Sequence, residues 1–446
     1  MADNGPNRPN IVLINCDDLG YGDLGCYGSE RNETPRIDEL AEEGLKFSDF
    51  YMAAPVCSPS RGAMLTGCYP RRIGFGTFEG EWVLFPGQSV GLNRDEVTLA
   101  SLLKEQGYRT KLVGKWHCGD QPEFLPTRHG FDSYYGLPYS NDMGIMEWRE
   151  DYPPLPLLRD EEVIQEQPDQ ASLTERYVEE ATSFIRENEE DPFFLYFAHM
   201  YVHLPLYAPQ QFLEGSQNGA YGAVVRAIDW SVNAILHELR SLGLEEDTLV
   251  IFTSDNGGID RDDASNEPLR GHKGTTWEGG QRVPCIMRWP GVVPAGASCG
   301  EIATAMDLMP TIANIVGAEL PGDRIIDGED LGPLVRGERD VSPHEAFFYY
   351  LKDDLEAVRS GKWKYHLKRE RLYDLEEDVG ETKDLSAERP EVVESLMEKA
   401  RECRKDLGDA ATGQEGENCR PPGRVEDPAP LTEFDPDHPY IVSMYD

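Results

Sequence analysis

The sequence has no uninterrupted apolar stretch approaching the about 18 residues of a membrane span; its strongest run, Phe193 to Met200, is the length of a buried strand. A soluble protein with no membrane partner is expected. Basic residues are scarce, with 42 lysines and arginines against 82 acids and a formal net charge of −40 over 446 residues. That deficit argues against nucleic acid or an anionic bilayer as a partner. It also repels anionic substrates at long range, so an enzyme that handles anions must gather its cations locally or work in salt that screens its field. Arginine outnumbers lysine and the acids are scattered over the whole chain, which suits a salt-adapted source better than a dedicated acidic tail.

Closely spaced cysteine pairs are missing too. Nine cysteines, at 16, 26, 57, 68, 118, 285, 299, 403 and 419, form no CxxC or other tight metal-ligand spacing. With Cys57 set aside, eight remain at irregular intervals, read as buried reduced thiols more readily than as disulfides. Met1 to Asn10 has neither the basic nor the apolar region of a secretory signal. As written the chain predicts a cytoplasmic protein, in which the sequon at Asn32 carries no weight, or a periplasmic or secreted one if it is a trimmed mature form. There is no internal repeat, and the oligomeric state is not readable.

What the sequence does contain is alternation of strand and helix signals. Asn10 to Asn15 is a continuous apolar strand of the kind covered on both faces in a parallel sheet. Thr34-Pro35 opens a helix striped by Ile37, Leu40 and Ala41 and ended by Gly44. Phe47 to Tyr51 reads as a strand, Leu99 to Gln106 as a helix, Arg109 to Val113 and Phe193 to Ala198 as strands, 220 to 242 as a long helix and Thr248 to Thr253 as a strand. This pattern predicts a large, mainly parallel α/β sheet sandwiched by helices. Two irregular stretches, 74–93 and 138–170, read as substrate-facing loops. Beyond a helix at 307–316 the texture changes to short aromatic strands, Phe347 to Leu351, Leu355 to Ser360 and Lys362 to Leu367. A helix at 391–405 and a Gly/Pro/Glu-rich tail from 408 follow. The chain is therefore divided into a catalytic domain, 1–339, and a C-terminal α+β subdomain, 340–446, with a small antiparallel sheet, a helix and an extended tail.

Chemistry-bearing residues cluster where strands end. Asp17-Asp18 follows the first strand and Asp255-Asn256 follows the strand at 248–253, each beside glycines; alone, either pair reads equally well as turn-formers. Two oxygen-rich pairs at the carboxyl ends of two parallel strands can converge on one hard cation, calcium or magnesium in preference to zinc. Cys57-Ser58-Pro59-Ser60-Arg61 sits after a strand and opens a helix whose free amides would face the cysteine and any bound oxyanion.

These motifs, together with Pro9 to Asp23, Thr34 to Leu40, Gly114-Lys115-Trp116-His117, Thr253 to Gly257, Gly274 to Gly280 and Leu372 to Leu375, occur in one collinear order. In that order the chain resembles the type I sulfatase family of the alkaline phosphatase superfamily, and most resembles its arylsulfatase A and N-acetylgalactosamine-6-sulfatase branch. The resemblance covers roughly residues 9 to 320 and implies that a maturation enzyme oxidises Cys57 to formylglycine, whose hydrated aldehyde is the nucleophile. It implies one calcium ion held by Asp17, Asp18, Asp255, Asn256 and an oxygen at position 57. It places Arg61 on the diol, Lys115 and Lys273 on the sulfate, His117 as the base that releases sulfate from the diol, and His203 as the acid at the leaving group, alone or with Lys273. Substrates are then sulfate esters, small or saccharide. His199 and His272 are read as packing or hydrogen-bonding residues, while His129 and Asp142 are candidates to face the substrate. A phosphonate or phosphate monoesterase on the same scaffold, and a non-catalytic binder of sulfated glycans, are the competing readings.

Overall fold

A computed structural model describes residues 8–146, 149 and 152–431. Its main sheet is built from β1 (Asn10–Cys16), β2 (Leu45–Tyr51), β3 (Arg109–Gly114), β4 (Ser133–Gly136), β5 (Pro156–Arg159), β6 (Glu162–Glu166), β7 (Phe193–Ala198), β8 (Thr248–Ser254), β9 (Arg282–Arg288), β10 (Ala297–Cys299) and β11 (Ala303–Thr304). The spatial order is β10-β2-β9-β8-β1-β7-β3-β4-β5-β6, with β11 beside β2. The four central strands, β8, β1, β7 and β3, are all parallel, with Asn15 level with both Ala198 and Thr253. Their apolar side chains are buried on both faces, as continuous apolar strands require. Four carboxyl ends therefore open side by side on one edge.

Helices cover both faces: α1 (Pro35–Glu42), α2 (Cys57–Thr66), α3 (Leu99–Glu105), α4 (Leu173–Glu187), α5 (Gly219–Ser241) and α6 (Leu308–Val316). Three features of the fold depart from the sequence expectation. The stretch 138–170 is not one loop, because β5 and β6 form a hairpin on the sheet edge within it. Next, α4 follows, burying Leu173, Tyr177, Val178, Ala181, Phe184 and Ile185 at helical spacing. Another departure is β9, which runs antiparallel between β2 and β8. Pro284 obscures it in the sequence, yet the register shifts between Val283 and Cys285, so the residue without an amide proton falls at the irregularity.

A second, antiparallel sheet contains β12 (Phe347–Leu351), β13 (Asp354–Ser360), β14 (Trp363–His366) and β15 (Arg371–Asp374), paired in chain order. Phe347, Tyr349 and Tyr350 share one core with Tyr51, Ala63 and Tyr69 and with Leu396, Ala400 and Cys403 of α7 (Pro390–Leu407). The expected extended tail instead folds back over the first body. Arg420 pairs with Glu96, and Gly423–Arg424 pairs with Val90–Gly91. All nine cysteines are unpaired, and all but Cys26 and Cys419 are buried. No helix among the described residues is long and apolar enough to cross a membrane.

Candidate active site

The carboxyl ends of the four parallel strands deliver most of the candidate residues. β1 runs into Asp17-Asp18, β8 into Asp255-Asn256, β3 into Lys115 and His117, and β7 into the segment holding His203. Gly114 makes the β3 exit possible, since a Cβ there would fall 1.9 Å from the Ala198 carbonyl oxygen. Lys115 can then turn inward with its amide on that same oxygen at 2.8 Å. Gly257 does the same after β8, where a Cβ would meet the Gly279 carbonyl at 1.8 Å, so Asp255-Asn256 packs against the loop that follows Lys273.

Cys57 is the first residue of α2, after Val56 in extended conformation, and it is 1% exposed. No side chain caps the helix start, so its free first-turn amides have no side-chain acceptor beside Cys57. Ser60 Oγ donates to the Ala54 carbonyl at 2.6 Å, pinning the approach, and Gly67 at φ 67° ends the helix.

Around Cys57 three carboxylates meet three cations. Asp17 accepts from Lys115 Nζ at 2.5 Å and lies 3.3 Å from Cys57 Sγ. Asp18 takes Lys273 Nζ at 2.7 Å and Asn256 Nδ2 at 2.8 Å. Asp255 accepts from Arg61 Nε at 2.8 Å, and Arg61 Nη1 donates to the Lys115 carbonyl at 2.7 Å. Potential ligand atoms of Asp17, Asp18, Cys57 and Asp255 all lie within 4.8 Å of one another. Asn256 Oδ1 and one Arg61 nitrogen are buried and have no hydrogen-bond partner.

Such crowding separates the acids electrostatically. Burial alone would raise Asp17, but Lys115, His203, Arg61 and Lys273 outweigh it and hold the carboxyl well below its usual range. Asp255 is pushed up to about 6 by burial and by Asp17, with Arg61 opposing. Burial, then Asp17 and Asp255, push the Cys57 thiol well above its ordinary value. That is the opposite of the environment of a reactive thiolate.

The two histidines have defined tautomers. His203 Nδ1 faces two acceptors, the Leu204 carbonyl at 2.7 Å and Asn141 Oδ1 at 3.2 Å, so it carries the proton and donates. Nε2 is left toward Asp18, 3.9 Å away. His117 Nε2 donates to the Leu84 carbonyl at 2.9 Å, leaving a buried Nδ1 with no partner. Burial and then Lys115 lower His117 well below 6.5, so that lone pair stays free.

Asp17, Asp18, Asp255, Asn256, Cys57, Arg61, Lys115 and Lys273 lie together with His203 beside Asp18, His117 is two residues from Lys115, and the structure adds several neighbours that sequence reading missed. Ser140 Oγ accepts from Lys115 Nζ at 2.7 Å, Asn141 orients His203, and Ser58 Oγ receives the Leu84 amide at 3.0 Å. Ser140 and Asn141 sit in the stretch read only as a loop, beside Asp142, so their signal was position without a recognisable pattern. His129 is 2% exposed, its ring 5.7 Å from that of Trp116 and both ring nitrogens without a hydrogen-bond partner. Asp142 keeps one buried oxygen without a partner. His199 is bonded to Tyr201 N and Thr174 Oγ1, a packing role, and His272 Nδ1 meets the Lys273 carbonyl. The two irregular stretches meet where the Phe85 and Tyr152 rings lie 6.4 Å apart.

Hard-oxygen donors, local cations and oriented imidazoles at the carboxyl ends of a mainly parallel sheet form a site suited to a hard cation and an anionic ligand. Comparison with known proteins makes the class specific. The Sulfatase family model matches residues 9–318, and a model for the C-terminal part of N-sulphoglucosamine sulphohydrolase matches 272–406. The chain belongs to the sulfatase family. It is 42% identical to N-acetylgalactosamine-6-sulfatase of Rattus norvegicus, with 82% of this chain and 73% of that protein covered. It is 38% identical to arylsulfatase A of Homo sapiens, covering 87% and 86%. A crystal structure of Ps i-CgsB in complex with k-i-k-neocarrahexaose superposes with a TM-score of 0.80 at 32% identity, covering 89% and 92%. The protein is a sulfuric ester hydrolase.

Proposed function

We propose that the protein hydrolyses aryl or carbohydrate sulfate monoesters with a formylglycine made from Cys57 and one calcium ion held by Asp17, Asp18, Asp255, Asn256 and the position-57 side chain. The carrying observation is the donor set itself: three clustered carboxylates and a buried, partnerless Asn256 Oδ1 lie about a thiol that burial and those acids keep protonated, a soft group ill matched to a hard cation. Cys57 Sγ occupies the place of a formylglycine oxygen. When bound, calcium would supply Lewis-acid stabilisation of negative oxygens, and formylglycine would supply a hydrated aldehyde with two hydroxyls.

The chain's own residues do the rest. Without a cation the three acids cancel Arg61, Lys115 and Lys273; a divalent ion shifts the centre to net positive, which a sulfate ester requires inside a protein of charge −40. Arg61, locked on Asp255 and the Lys115 carbonyl, orients the nucleophilic side chain. Lys115 and Lys273, now on Asp17 and Asp18, are the sulfate clamps. His117 holds a free lone pair at Nδ1 and serves as base toward a hydroxyl at position 57. His203, when protonated at Nε2 as well as Nδ1, is the acid toward the leaving oxygen, together with Lys273 Nζ. Burial and then Lys273 lower His203 while Asp18 keeps Lys273 charged, so the lysine shares the acid role.

The same reading assigns 1–339 to catalysis and 340–446 to a supporting subdomain, since Lys364 of β14 is paired with Glu278 in the Gly274–Gly280 loop. Parallel rates on 4-nitrophenyl sulfate and a 4-nitrophenyl phosphonate test the reaction class for matured protein. A dominant sulfate rate is expected, and a dominant phosphonate rate overturns the proposal.

A further inference from the structure

We infer that Trp82 is a stacking platform for a saccharide ring on the leaving-group side of the catalytic centre, an inference that rests on the sulfatase reading of Lys273 and His203. Trp82 lies in the irregular stretch 74–93 and is 41% exposed. One open apolar side chain is ordinary. Its seat is what matters. A Cβ on Gly274 would fall 2.9 Å from Trp82 Cζ3, so the six-membered ring lies on the backbone of the residue that follows Lys273. Gly274 in turn donates its amide to the Pro55 carbonyl at 2.8 Å, two residues before Cys57. The indole therefore borders the proposed clamp that faces the leaving oxygen.

The ring is also held from both sides. Upstream, Phe78 and Glu81 form a two-way bridge, Lys352 Nζ donates to the Gly80 carbonyl at 3.0 Å, and Thr77 Oγ1 donates to Asp353 Oδ2 at 2.6 Å. These last two anchors come from the turn between β12 and β13. Downstream, Leu84 is fixed by Ser58 Oγ and by His117 Nε2. An exposed aromatic mounted between the catalytic helix and the second sheet loses little freedom when a ligand arrives.

The ring's surroundings select the ligand. Glu79, Gly80 and Glu81 beside it are exposed and polar, so the described neighbours form no closed apolar slot of the sort a steroid would need. An open indole face with a polar border matches a ring that is apolar on its faces and hydroxylated at its edges, which describes a pyranose.

The test uses full-length matured protein, Trp82→Ala and Trp82→Phe. It compares 4-nitrophenyl sulfate, a steroid sulfate and a panel of monosulfated galactose, N-acetylgalactosamine and glucosamine disaccharides, and calorimetry measures disaccharide binding independently of turnover. For the best disaccharide, Trp82→Ala is expected to raise KM and weaken binding about tenfold with kcat nearly unchanged. The aryl sulfate should respond much less, and Trp82→Phe should restore most of the loss. Equal losses on all substrates, a loss confined to the steroid sulfate, or no disaccharide binding by the parent protein would overturn the platform. Trp82-dependent disaccharide binding by a protein that cleaves no sulfate ester would uphold the platform and overturn the sulfatase mechanism.

Discussion

Two buried ionic clusters in this molecule have the same formal composition and opposite character. At the strand ends, Asp17, Asp18 and Asp255 face Arg61, Lys115 and Lys273. Beneath the second sheet, Asp49, Glu278 and Glu381 face Arg282, Arg359 and Lys364. In the second cluster every charged group has a defined partner: Glu278 accepts from Tyr51, Tyr349 and Lys364, and Glu381 bridges Lys364, His366 and the Glu278 amide. Burial works against Glu278, but Lys364, Arg282 and Arg359 hold its carboxyl far below the usual range. The first cluster instead leaves Asn256 Oδ1, one Arg61 nitrogen and His117 Nδ1 unpartnered and forces Asp255 up to about 6. A completed set of partners marks structure, and an incomplete one marks a place for something else to bind.

The contrast breaks hardest at Cys57. Cys57→Ala in matured protein should lower kcat/KM by about 10⁴-fold or more with little change in the denaturation midpoint, read by initial rates and urea unfolding. Lys364→Ala should behave in the opposite way. It strands Glu278 and Glu381 in the interior at a cost of about 3–5 kcal/mol in urea unfolding, while the folded fraction keeps its KM.

Calcium sharpens the comparison at a smaller scale. Removing it with a chelator should abolish activity and lower Tm, and graded return should restore both, since an ion that binds only the folded state stabilises it by mass action. In Lys364→Ala the Tm gain from calcium should persist. In Asp255→Asn it should shrink.

The smallest effect is one of pH in chelator. Because the folded-state pKa of Asp255 is raised from 3.8 to about 6, its contribution to stability is complete below 3.8 and is lost as pH rises through about 6. Urea unfolding across that window should show the loss, and either Asp255→Asn or added calcium should flatten it.

Legibility in the sequence follows the same division. Central strands and the Cys57 helix could be read because continuous apolar runs, a proline at the start of α1 and glycines at turns are local signals. The proposed site residues stand out in the sequence because most sit at a strand end or helix start in a specific motif order. Ser140, Asn141 and the Leu84 carbonyl do not, since a hydroxyl, an amide and a backbone oxygen act there only through where the chain places them. β9 was hidden by Pro284, and α4 was overlooked beside an irregular stretch despite its helical stripe. The second ionic cluster joins residues about 300 apart in sequence, such as Asp49 and Arg359, and no local pattern announces such a pairing.

The central claim is that position 57 works as an aldehyde and not as a thiol. Mass analysis of the peptide spanning Cys57, with and without an aldehyde-capturing hydroxylamine, addresses it in protein from the native host or made together with a maturation enzyme. The account predicts a captured aldehyde whose occupancy scales with kcat. Full sulfatase activity in protein whose position 57 remains an unmodified thiol would contradict it.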